Sequence, residues 1–183
     1  GRQMTRLGNY LREYVDLMEW SDEVHDNERA GGARLRVSLL VDGQPCRLQV
    51  ETSESNQSIH VALCLPFRVR PEKFTQACVL ANGINRVSRH GRLEIDPADG
   101  ALRYVNAASV QFIEPNAAFL RSMTDSAAGF LAYWMWAIAE VAISERDAGE
   151  ILADEERRQR ARSGEVEPLV ERVSSGARAA TLH

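Results

Sequence analysis

Histidines and cysteines, the side chains most often used as base, nucleophile or metal ligand, are few in this 183-residue chain: four histidines and the three cysteines Cys46, Cys64 and Cys78. His60 and Cys64 come nearest to a nucleophile–base pair. Four residues apart on one extended strand, their Cα atoms would stand about 13 Å from each other, past the hydrogen-bond reach that such a dyad needs. Both therefore read as ordinary sheet-surface residues. His25 and His90 lack partners at zinc-ligand spacing, and the cysteines contain no Cys-x-x-Cys pair. No catalytic residue, metal or cofactor is expected from this set. With an odd number of thiols and no secretory leader, the chain reads as a protein of the reducing cytoplasm.

Two amides and an arginine cluster come next. Asn85 lies eleven residues after Phe74 and Asn82 four after Cys78, which puts both at the margin of the buried side of a helix. One reading is a ligand-binding amide pair. The preferred one is that the amides satisfy backbone groups where helix meets sheet, because buried polar groups must find partners. Arg157, Arg158, Arg160 and Arg162 could suggest RNA. Yet Asp154 stands four residues before Arg158 and Glu156 four before Arg160, the acid-first order that supports a solvated helix. A formal charge of −4 also argues against a general nucleic-acid binder, whose phosphate contacts rest on a net basic footprint. Among 22 basic residues Lys73 is the single lysine.

The elements that must position these residues follow from hydrophobic periodicity. Leu7, Tyr10, Leu11, Tyr14, Leu17 and Met18 predict an amphipathic first helix of about four turns. Residues 26–33 read as a polar connection. The stretch 34–50 alternates about Asp42-Gly43, a two-residue hairpin turn that sets Leu35 against Val50, Val37 against Leu48 and Leu39 against Cys46. A third strand over 58–66, turned at Ser55-Asn56, puts Ile59, Val61, Leu63 and Leu65 on the same face and Cys64 on the other. Its apolar run predicts a central strand covered on both sides. Pro71 opens a second helix whose buried side is Phe74, Ala77, Cys78, Ala81 and Ile84. Residues 91–105 form a second hairpin with a four-residue loop, pairing Ile95 with Leu102 and Leu93 with Tyr104, and Gly100 takes the position that tolerates positive φ. After Pro115 the chain is helical to about Glu145. A charged helix, a short amphipathic piece and a small-residue tail follow.

The fold class is thus α+β: a helix, a three-stranded antiparallel meander, a helix, a β-hairpin and a long C-terminal helix. Residues 1–145 read as a single domain, and 146–183 as a charged helix and tail.

The stretch "GFLAYWMWAIAEVAI", residues 129–143, is apolar nearly all round. A membrane span needs about 20 predominantly apolar residues, whereas here Asp125 and Glu140 are only 15 positions apart and no cationic flank adjoins the run. No membrane span is expected. At 100° per residue, Phe119, Met123, Ala127, Phe130, Trp134, Ile138 and Val141 form a stripe that faces the sheet. Nearly opposite lies a second stripe, Gly129, Ala132, Trp136, Ala139 and Ile143, small residues around one large aromatic, which a solvent-facing helix would not ordinarily expose. A second copy, a foreign partner, or the chain's own tail through Val166, Leu169, Val170 and Val173 could cover it. Homodimerisation ranks first.

Residues 79–105, "VLANGINRVSRHGRLEIDPADGALRYV", resemble the YbjN family of bacterial sensory-transduction regulators. That family's pattern is a helix ending in two spaced asparagines, then Gly, an aliphatic strand, an Asp-Gly turn and a return strand. Asn82, Asn85, Gly91, Leu93, Ile95, Gly100 and Leu102 match it. The resemblance implies a fold like that of type III secretion chaperones. It also implies a non-enzymatic regulatory or chaperone-like role, often as a dimer. The alternative from another class is an enzyme or small-ligand receptor with a cleft between the second helix and the sheet, near Asn82, Asn85 and His60.

Overall fold

The computed structural model describes residues 5–27 and 31–164. The expected amphipathic piece and tail, including Val166, Leu169, Val170 and Val173, lie outside the described residues. Helix α1 (Arg6–Leu17) opens on Thr5, whose hydroxyl oxygen accepts from the Gly8 amide at 3.2 Å. It buries Leu7, Leu11, Tyr14 and Val15, while Leu17 is 46% exposed. The apolar stripe is therefore shifted from the expected one. Val15 lies about 40° round the helix from Leu11, and Leu17 about 120°.

Six antiparallel strands follow in the spatial order β1-β2-β3-β4-β6-β5: β1 (His25–Asn27), β2 (Gly32–Val41), β3 (Gln44–Ser53), β4 (Ser58–Arg68), β5 (Arg92–Ile95) and β6 (Ala101–Ser109). Strand β1 was not foreseen. Three residues within and beside the polar connection pair with the start of β2 and make a short sheet edge. The hairpin register is the expected one, with Leu35 opposite Val50, Val37 opposite Leu48 and Leu39 opposite Cys46. Asp42 and Gly43 both take positive φ, 49° and 72°, as a turn matched to strand twist requires. Val50 faces Val61 and Leu48 faces Leu63 across β3 and β4, again as expected. The second hairpin pairs Ile95 with Leu102 and Leu93 with Tyr104. Strand β6 returns between β4 and β5, so β4 is central.

Among the described residues, one face of the sheet is covered and the other is not. Val37, Leu48, Leu63, Leu93 and Tyr104 are buried on the covered face, beneath the helices. On the opposite face Arg36, Arg47, His60 and Arg103 are exposed. This corrects the expectation that β4 is covered on both sides. Its apolar run is continuous because Ala62 and Cys64 are small, and they lie between longer neighbours: Gln49, Ala62 and Val105 are in register, as are Arg47, Cys64 and Arg103.

Helix α2 (Phe74–Val87) follows a 3₁₀ turn at Pro71–Lys73 and buries Ala77, Leu80, Ala81 and Ile84. Cys78, expected on that side, is exposed. Helix α3 (Ala117–Ile143) is capped by Asn116, whose Oδ1 accepts from the Phe119 amide at 2.9 Å. At 27 residues it is long and apolar enough to cross a membrane by length and composition. Here its buried residues, Leu120, Met123, Ala127, Leu131, Trp134, Ile138 and Val141 among them, belong to the core. The Tyr14 and Thr124 hydroxyls share a buried hydrogen bond of 2.6 Å that ties α1 to α3, and Tyr104 stacks on Phe130 with centroids 4.9 Å apart.

Helix α4 (Ala148–Gly164) packs against α2 and α3, burying Ala148 and Ile151. Two polar anchors from the start of α2 hold its entry. Lys73, buried, donates from Nζ to the Arg146 carbonyl at 2.9 Å, and Gln76 Oε1 accepts from the Ala148 amide at 2.7 Å.

Candidate interaction surfaces

The second stripe of α3 is treated unevenly. Gly129 is exposed, and among the described residues nothing beyond its own stretch of helix comes within 4 Å of the place a Cβ would occupy; Ile143 is 67% exposed. Ala132, Trp136 and Ala139 are half-buried. Trp136 lies under α4: the Arg158 guanidinium stands 4.0 Å from its ring centroid, a cation–π arrangement. One turn earlier, the Tyr133 hydroxyl donates to the buried Glu155 carboxylate, which also accepts from Gln159 at 3.1 Å. Arg162 approaches the same tyrosine ring. Along α4 itself, Glu156 pairs with Arg160 at 3.8 Å as expected. Asp154 does not take Arg158. It pairs with Arg146 and Arg157, and these, with Arg146 first, hold its carboxyl below the usual range. Arg158 leaves the expected ion pair because an indole face is within its reach.

The two asparagines of α2 part company. Asn85 Nδ2 donates to the Leu93 carbonyl at 3.0 Å and its Oδ1 accepts from the Leu93 amide at 2.7 Å. Asn82, three residues earlier, is exposed. Asn85 thus holds the backbone of edge strand β5, and His60 projects from the uncovered face of β4, where it lines a recess with Gln49, Glu51 and Arg92. The structure does not bring His60 together with Asn82 and Asn85. Among the described residues no group of three His, Cys, Asp or Glu side chains is placed to hold a metal ion.

The uncovered face has a geometry that the chemistry-bearing residues did not announce. Arg34 and Arg36 on β2, Arg47 on β3, Arg92 on β5 and Arg103 on β6 stand on it, against the carboxylates Glu51 and Glu94. Arg92 and Arg103 are committed to Glu94, at 2.8 and 2.7 Å. Burial pushes the Glu94 carboxyl upward, but hydrogen bonds from Arg103 and Arg92 outweigh it and hold it below its ordinary value. A cavity of about 730 Å³ opens beside this trio, where Pro66 lies within an irregularity in the β4–β6 pairing; Arg47, Cys64 and Arg68 line it. The readable signal in the sequence is the outward period-two arginine of "RLRVS", residues 34–38.

No protein-family model matches the chain, and no curated protein sequence matches it. Solved structures do. A chain of the HopA1–SchA chaperone–effector complex matches 73% of this chain and 98% of its own length, with a TM-score of 0.50 and 12% identity. YbjN from E. coli covers 73% of this chain and 95% of its own, with a TM-score of 0.48 and 13% identity. At such identities the likeness is one of fold alone, and it is the α+β chaperone-like fold that the family resemblance implied.

Proposed function

We propose that this protein works by contact, as a non-enzymatic regulatory or chaperone-like module in the cytoplasm that pairs with a second copy through α3. The observation that carries this reading is the apolar surface α3 leaves outside the core. Gly129 is open, Tyr133 is 38% exposed and Ile143 is 67% exposed, on a helix whose other side builds the hydrophobic centre. Gly129 leaves room for the close approach of another helix beside Tyr133 and Ile143, whereas Trp136, with Arg158 on its ring, borders that surface under α4. A second support is the fold shared with a chain of a chaperone–effector complex.

The test is Gly129→Arg, measured by light scattering beside the parent protein. A Cβ added at Gly129 meets nothing within 4 Å among the described residues, so circular dichroism should be unchanged while the mass falls to about half the parent's. A parent that is itself a monomer, or a folded variant that keeps the parent mass, defeats the dimer.

A further inference from the structure

A sheet with one uncovered face normally presents mixed charge and scattered polar residues to water. Here that face is one-sided. From β2 to β6 it presents six arginines, Arg34, Arg36, Arg47, Arg68, Arg92 and Arg103, against the strand carboxylates Glu51, opposite Arg34 in register, and Glu94, on a chain whose net charge is −4; Arg68 is paired with Asp99 at 3.0 Å. Arg92 and Arg103 are spent on Glu94. The side chains of Arg34, Arg36 and Arg47 make no hydrogen bond or ion pair among the described residues.

Beside Arg47 the face is recessed. The cavity lined by Arg47, Cys64 and Arg68 adjoins a second recess of about 250 Å³ lined by Gln49, Glu51, His60 and Arg92, and the two share Glu94 and Arg103. Of the three unpaired arginines, Arg47 lines the larger recess, while Arg34 and Arg36 stand outside both, two strand positions apart on β2. Arg34 and Arg36 are two residues apart on one strand, so their Cα atoms stand about 6.7 Å apart, the spacing of alternate residues in any extended chain. Guanidinium groups take carboxylates in a fixed two-pronged geometry.

We propose that the uncovered face of the sheet binds an extended acidic segment of a partner protein, with alternate carboxylates taken by Arg34 and Arg36 and a further one by Arg47. This rests on the reading of the chain as a protein-binding module, but not on the dimer through α3. A nucleic acid fits the face less well. The outward positions of β2 to β6 carry no Phe, Tyr or Trp on which bases could stack, and the negative charge of the rest of the chain repels a polyphosphate more than a short peptide.

The probe is a short fluorescein-labelled peptide of alternating glutamate and serine, with a glutamine-for-glutamate version and a single-stranded oligonucleotide beside it. Anisotropy should show the acidic peptide binding at low salt, weakening as salt rises, with the glutamine version silent. Arg36→Glu combined with Arg47→Glu, both at exposed positions, should weaken binding by about tenfold or more and leave circular dichroism unchanged. Bound peptide should also slow alkylation of Cys64, which lies in register between Arg47 and Arg103, and leave that of Cys78 unaffected. Absence of binding at low salt, equal binding of the glutamine peptide, or binding indifferent to the double variant overturns the proposal. An oligonucleotide that binds more tightly and is lost in the same variant assigns the face to phosphate instead. A change of oligomeric mass in the variant assigns it to a second copy. The parent mass, measured on the same sample, reports on the α3 dimer independently.

Discussion

Asn85 and Leu93 are joined by a closed pair of hydrogen bonds, amide to amide, between a helix side chain and a strand backbone. Strand β5 has β6 on one side only, so the outward N–H and C=O of Leu93 would otherwise face an unpaired edge. One side chain thus does for β5 what a seventh strand would do, and blocks that edge to others. Asn85→Ala should cost about 1–3 kcal/mol in urea unfolding. Asn85→Asp keeps the acceptor but loses the donor, and should retain only part of the stability at neutral pH.

Gly100 and Gly43 share a φ of +72° but not an environment. A Cβ at Gly43 meets nothing within 4 Å, whereas one at Gly100 would stand 2.2 Å from the Val69 carbonyl oxygen. That carbonyl belongs to a residue whose amide donates to Gly100 at 2.9 Å, so the two backbones cannot separate freely. Gly43→Ala should cost about 1–2 kcal/mol, the left-handed backbone alone. Gly100→Ala adds a collision and should cost about 2–5 kcal/mol by thermal unfolding. Equal costs would show that the Val69 contact relaxes.

The three thiols should react in an order set by their surroundings. Cys78 is exposed on α2, Cys64 half-buried on the uncovered face and Cys46 buried in the core. Burial pushes the Cys46 thiol up, with a smaller contribution from Cys64, and leaves less of the reactive thiolate. Timed alkylation followed by peptide mass spectrometry should find Cys78 modified first and Cys46 last. In urea all three should react together.

The Glu94 carboxyl lies below its ordinary value when folded, because Arg103 and Arg92 overcome its partial burial. A depressed carboxylate contributes stability that is present above the unfolded pKa of about 4.3 and is lost as pH falls through the folded value. Glu94→Gln should therefore lower the melting temperature at pH 7 and narrow the difference from the parent at the most acidic pH. A constant difference across the acid range would show that the arginine contacts do not persist in solution.

Much of the framework was legible in residue order alone. Two-residue alternation about Asp42-Gly43, around Ser55-Asn56 and across loop 97–100 specifies three strand registers, because a slip of one residue would turn every apolar side chain from the core to water. Helical spacing likewise placed α1, α2 and α3, since their inward stripes repeat within a few turns. What residue order leaves open are positions at the margin of a face. Val15 and Leu17, Cys78 and Leu80, Asn82 and Asn85 differ in burial only through elements distant in sequence that pass beside them. The uncovered face of β4 is of this kind: its small apolar residues suit either a second layer or long flanking side chains, and pairing with Arg47 and Arg103 settled which. Trp136 is another, since a tryptophan among small residues asks for cover without naming it, and the return of α4, anchored by Lys73 and Gln76, brought Arg158 onto its ring. Local periodicity encodes which side of an element avoids water; only assembly in three dimensions decides what meets the rest.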